Sequence, residues 1–105
     1  MSNILEIVDK TGRNTILTKE RWSHITEPAS PHAYIANYLE EIRQALIKPD
    51  KIISSLYDEK KANYYKYFKH RDSKNKFLRV IVKYLNNHGL IISAYFITNI
   101  KWKEE

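Results

Sequence analysis

Hydrophobic and polar positions alternate most regularly between Phe77 and Thr98, where FLRVIVKYL and LIISAYFIT flank the turn residues NNHG. A period of two, with β-branched and aromatic residues on both sides of an Asn/Gly turn, predicts an antiparallel hairpin. On its first strand Leu78, Val80, Val82 and Tyr84 share one face, and Phe77, Arg79, Ile81, Lys83 and Leu85 share the other. A two-residue loop at Asn87-His88 places Arg79 and Lys83 on the side of Ala94 and Phe96. A type I turn with Gly89 in the left-handed position, followed by a bulge, shifts the pairing by one residue. It sets Lys83 opposite Ser93 and Ile81 opposite Tyr95, and it leaves one face wholly apolar. Register follows the face that must be buried, so the bulged turn is expected. The other face then gathers Arg79, Lys83, Ser93 and Tyr95.

The same reading extends along the chain. Ile4–Val8 and Thr15–Leu17 flank DKTGR and predict a short N-terminal hairpin. Thr18 is placed as the N-cap of a helix over Lys19–Thr26, with Leu17 and Trp22 as a hydrophobic staple and Pro28 beyond its end. Ser30 and Pro31 predict a second start, and Tyr34, Ile35, Tyr38, Leu39, Ile42, Ala45 and Leu46 then recur at helical spacing until Lys48-Pro49-Asp50. Ile52–Tyr57 and Tyr64–Lys69 predict two more strands, joined by charged connections. The expected fold is therefore α+β, with N-terminal helices packed on one face of a four-stranded antiparallel sheet. A single domain over 1–105 divides into an N-terminal strand or hairpin (1–17), two helices (18–48) and an antiparallel meander (51–102).

Composition agrees with a folded domain: 43% of the 105 residues are hydrophobic, and glycine and proline number only two and three. There is no cysteine, so a disulfide framework and a thiolate zinc site are excluded. No apolar run approaches the ~20 residues of a membrane helix, and the N-terminus lacks a leader pattern, so a cytoplasmic protein away from membranes is expected. Charge changes the picture more. Residues 1–50 carry six Lys/Arg against seven Asp/Glu, whereas residues 51–105 carry twelve against five. Nine basic residues lie between Lys60 and Lys83, facing only Asp72, and Tyr64, Tyr65, Tyr67, Phe68 and Phe77 interleave with them. Cations for phosphates and rings for bases suit an RNA-binding surface. The same lysines also suit an exposed strand edge guarded against aggregation.

Cleaving an RNA phosphodiester requires a base for the 2′-hydroxyl, an acid for the leaving oxygen and cations for the developing charge. The mixed face offers Arg79 and Lys83 as phosphate ligands, Tyr95 as proton donor or stacking group, and Ser93 as a hydrogen bonder. Lys66, on the neighbouring strand, adds a cation, with Tyr65 and Lys69 beside it. Among the four histidines, His88 falls in the hairpin turn, His70 at the end of a basic strand, and His24 at the margin of the first helix's buried side. No histidine pair has metal-ligand spacing, and neither a metal nor an organic cofactor is expected. A Gly-x-Ser-x-Gly turn and a glycine-rich phosphate loop are both missing, which sets aside serine hydrolases, nucleotide hydrolases and dinucleotide enzymes.

The segments LTKERWSHI, YLEEIRQALIKPDKI, YYKYF, LRVIVKYL and GLIISAYFIT together resemble the phage-associated PBECR nuclease-like domains, within the grouping of barnase, EndoU, colicin tRNase and RelE folds. The resemblance spans about Ile16 to Lys101. It implies metal-independent RNA cleavage by a toxin or phage-type effector, with tRNA or mRNA as target and an antitoxin or immunity protein as partner. By position it implies His24, Lys83, Tyr95 and Thr98 as catalytic residues, and Lys66, Arg79, Lys83, Ser93, Tyr65 and Lys69 as RNA or phosphate ligands. Members of the family carry a second histidine just before a Pro-Glu-Leu segment after the first helix; here that region reads EPASPHAYI, a departure in which His32, after the proline, is the only stand-in. Alternative expectations are a non-catalytic RNA-binding domain and a module whose basic face meets an acidic protein.

Overall fold

The structure, a computed structural model, describes residues 3–55 and 57–100. Residues 101 and 102, the end of the expected meander, lie outside the described residues, as does Leu56 in the expected strand Ile52–Tyr57. The chain opens with two short strands, Leu5–Val8 (β1) and Asn14–Leu17 (β2), paired antiparallel. Asp9 shapes the turn between them: its Oδ1 accepts from the Thr11 N–H at 2.8 Å, and its main-chain oxygen accepts from the Gly12 N–H at 2.9 Å. Gly12 carries a φ of 88°, where a side chain would be strained.

Thr18 caps the first helix, Lys19–Thr26 (α1), accepting from the Arg21 N–H at 3.1 Å. Eight residues are too few for a helix to hold alone. Docking of Ile25 and Trp22 into the core supplies the rest. The expected second helix is divided. Ala33–Asn37 forms a 3₁₀ turn, Tyr38 breaks from helical geometry, and Leu39–Ile47 forms α2. The reason lies in tertiary contacts: the Tyr34 hydroxyl accepts from the Phe96 N–H at 2.9 Å, and the His32 ring stacks on Tyr95, holding this segment against the sheet.

Four more strands follow: Lys51–Ser54 (β3), Lys61–Tyr67 (β4), Phe77–Leu85 (β5) and His88–Ile97 (β6). They do not form a separate four-stranded antiparallel sheet with N-terminal helices on one face. The structure corrects that expectation to one mixed sheet of six strands in the order β1-β2-β6-β5-β4-β3. Its new feature is the parallel pairing of β2 with β6, Asn14 with His88, Thr15 with Gly89 and Ile16 with Leu90. Gly89 makes the approach possible. A Cβ there would lie 2.6 Å from Thr15 Oγ1 and 2.8 Å from Val82 Cγ1. Glycine at this position is thus required by packing, not by the left-handed turn conformation that the sequence suggests. The turn residue with positive φ is Asn86, at 58°.

The core joins Leu17, Ile25, Ile35, Ile42 and Leu46 to Leu78, Val80, Val82, Ala94 and Phe96, each at most 7% exposed. Each of the larger aliphatic side chains contributes about 1.5–3 kcal/mol by leaving water. Among them sits a polar group, Asp9, only 4% exposed. Its Oδ2 accepts from the Thr15 hydroxyl and the Tyr84 hydroxyl, each at 2.6 Å, and Tyr84 in turn bonds the Tyr64 hydroxyl. Burial would push the Asp9 carboxyl up, yet the hydrogen bonds from Thr11, Thr15 and Tyr84 together hold it below its ordinary value. Burial pushes both phenols up, Tyr84 with help from Asp9 and Tyr64 with help from Tyr84. No helix among the described residues is long and apolar enough to cross a membrane.

Candidate functional site

Directly paired strand residues point to the same face, so the register of β4, β5 and β6 sets out the face opposite the core in rows. Tyr65, Arg79 and Tyr95 form one row, Asn63, Ile81 and Ser93 the next, and Lys61, Lys83 and Leu90 a third. The expected pairings, Lys83 with Ser93 and Ile81 with Tyr95, are corrected by two residues: Ile81 faces Ser93, and Arg79 faces Tyr95. The bulge is present, but at Ile92, where the register passes from Ile81–Ser93 to Val82–Ile91. It lets Ile91 enter the core while Ser93 and Tyr95 stay on the other side.

This displacement brings Arg79 and Tyr95 into contact. The Arg79 Nη1 donates to the Tyr95 hydroxyl at 2.8 Å, and its Nε donates to Asn63 Oδ1 at 3.1 Å. The guanidinium is thereby fixed in plane, in a form suited to the paired oxygens of a phosphate. A phenol oxygen that accepts from a guanidinium still has its own proton to donate. Against the Tyr95 ring lies His32, with centroids 4.4 Å apart and planes 17° from parallel. Asn63, Arg79 and Tyr95 border a cavity of about 340 Å³, lined also by Ser55, Tyr57, Asp58, Lys61 and Ile81, whereas His32 reaches it only through its stacking on Tyr95. Lys83 Nζ reaches Asp58 Oδ2 at 2.8 Å. The Lys83 hydrogen bond, together with the Lys60 N–H, holds the Asp58 carboxyl below its ordinary value.

The other residues singled out in the sequence fall elsewhere. His24 is exposed on α1, in a shallow depression with Glu20, Ser23 and Glu27, and lines no part of the cleft. Lys66 pairs with Leu78 and so lies on the core side of the sheet, where its Nζ donates to the Lys48 main-chain oxygen at 2.9 Å. Lys69 follows β4 in a loop at the end of the sheet. Tyr65 occupies the cleft face but is fully buried, so its ring presents no open side to a base. Thr98, beyond the end of β6, donates to Asn75 Oδ1 at 2.7 Å. Ser93 remains on the cleft face beside Tyr95.

Two contributors were not among the expected site residues: Asn63, which orients Arg79, and Asp58, which engages Lys83. Asn63 shares its parity with Tyr65 along β4, a pattern that points to one face. Asp58 lies 25 residues from Lys83, and nothing local marks the pair. Among the described residues, no group of three His, Asp or Glu side chains is placed to hold a metal ion. No protein-family model, curated protein or solved structure significantly matches the chain.

Proposed function

We propose that the cleft on this face binds RNA phosphodiesters and cleaves them by metal-independent transesterification. The observation that carries the reading is the group Asn63–Arg79–Tyr95 at the border of one cavity, with the His32 ring stacked on Tyr95. In this reaction a base removes the 2′-hydroxyl proton, the 2′-oxygen bonds to phosphorus, and the 5′-oxygen leaves with a proton from an acid. Arg79 meets the charge that grows on the phosphoryl oxygens. Tyr95 and His32 are the groups beside it that can donate and accept the proton. His32 takes the role that the sequence assigned to His24. The proposal retains the resemblance to PBECR nuclease-like domains in the strand that supplies Ser93 and Tyr95.

The test is cleavage of total RNA and tRNA in EDTA, with the product ends identified. Products ending in 2′,3′-cyclic phosphate are expected. Arg79→Ala is expected to lower the rate at least about 100-fold, with an unchanged circular dichroism spectrum. Intact RNA after prolonged incubation with folded protein would sink the nuclease reading. The engagement of Lys83 by Asp58 favours one alternative, a non-catalytic RNA-binding face on which phosphate must displace a carboxylate. That alternative predicts binding without cleavage, with an affinity that falls steeply as salt rises.

A further inference from the structure

A larger cavity lies away from the cleft, where the end of β4 and the following loop meet α2. Its volume is about 620 Å³, within the range of small-molecule sites. Half-buried Phe68 and Tyr38 supply the aromatic lining, and behind them buried Phe96 meets Tyr38 edge-on at 5.0 Å. Lys69, His70 and Arg71 bring donors, and Glu41 and Gln44 on α2 bring an acceptor and an amide. Arg71 is set in place: its Nη1 donates to the Asn75 main-chain oxygen at 2.6 Å, and its guanidinium carbon lies 3.9 Å from the centre of the Phe96 ring. Its Nε is buried and finds no acceptor among the described residues. The loop is preorganised by Phe68 N–H to Lys76 O at 2.8 Å and Arg71 N–H to Phe68 O at 3.1 Å.

A cavity with aromatic walls, cations on one side and, on the other, a carboxylate unengaged among the described residues beside an amide asks for a specific chemistry. A purely anionic ligand would be repelled by Glu41 and Asp72, and a purely apolar one would leave the cations and Arg71 Nε unanswered. The geometry points to a second binding site, separate from the cleft, for a nucleoside monophosphate unit, either a free mononucleotide or one nucleotide splayed out of an RNA strand. The base lies against the aromatic lining with its amino edge toward Glu41 and Gln44, and the phosphate meets Lys69, His70 and Arg71.

The experiment is an amide-resolved NMR titration of the full chain with adenosine 5′-monophosphate, adenosine, inorganic phosphate and a short single-stranded oligoadenylate. Adenosine 5′-monophosphate is expected to shift residues 66–72, with adenosine and phosphate each binding about tenfold more weakly. Shifts there with the oligonucleotide alone would assign the site to a nucleotide within RNA. Lys69→Ala, an exposed position, is expected to weaken binding about tenfold without loss of folding. Arg71→Lys tests the guanidinium while keeping its charge, and it should weaken binding likewise. Arg79→Ala should leave these shifts unchanged, which separates this site from the cleft. The inference is overturned if no probe moves residues 66–72, or if phosphate alone equals the nucleotide.

Discussion

The two faces of the sheet each carry a cluster in which a phenol meets a charged group, and they differ in closure. On the core side, Asp9 takes hydrogen bonds from Thr11, Thr15 and Tyr84 and is shut away from water. On the other side, Arg79 and Tyr95 meet with comparable geometry, with His32 stacked on Tyr95, but border an open cavity. The first cluster spends its hydrogen-bonding capacity within the protein and ties the N-terminal turn to β4 and β5. The second stays partly exposed, so an incoming anion can reach it. A phenol beside a charged group thus serves structure where it is enclosed, and where it is open it is available for the recognition proposed above.

Breaking the closed cluster should have the largest effect. Asp9→Ala leaves buried hydroxyls without their acceptor and should lower unfolding free energy by about 3 kcal/mol in denaturant titrations. A loss no larger than that of a surface substitution would show that the cluster is dispensable. Gly89→Ala forces a methyl group against Thr15 and Val82, and about 1–3 kcal/mol should be lost by the same measurement. In the open cluster, Arg79→Ala should cost only about 1 kcal/mol while RNA cleavage collapses; a large stability loss would erase the contrast between the faces. The smallest effect concerns acid. The Asp9 carboxyl is held below 3.8, so the unfolded chain takes up the proton more readily than the folded one. Its contribution is complete above about pH 4 and fades as pH falls through the lower folded value. Below about pH 4, Asp9→Asn should lose stability less steeply than the unsubstituted chain.

The local elements were legible because local chemistry makes them. Thr18 caps its helix, DKTGR turns, and alternation from Phe77 onward separates Arg79 and Tyr95 from Val80 and Ala94. The sheet as a whole was not, because β2 meets β6 across some seventy residues of chain, with side-chain-free Gly89 as the only trace. Gly89 sits beside a turn, and the turn explanation conceals the packing one. Periodicity over Tyr34–Leu46 reads as one helix, since it cannot register that Tyr34 is drawn toward the Phe96 N–H. The site followed the same division. That Arg79 and Tyr95 share a face came from alternation, whereas their direct pairing follows from the bulge at Ile92, and His32, Asn63 and Asp58 join them through contacts distant in sequence.

The parallel pairing of β2 covers β6 only from His88 to Leu90. Beyond it, the edge of β6 is guarded by the segment that carries His32 and Tyr34, with the Tyr34 hydroxyl occupying the Phe96 N–H. A bare strand edge is a template on which another chain can add a strand. The segment that stacks the imidazole on Tyr95 therefore also covers this edge of the sheet. A proteolytic cut there is expected to loosen the His32 ring from Tyr95 and bare this edge together, and self-association measured by light scattering would report it.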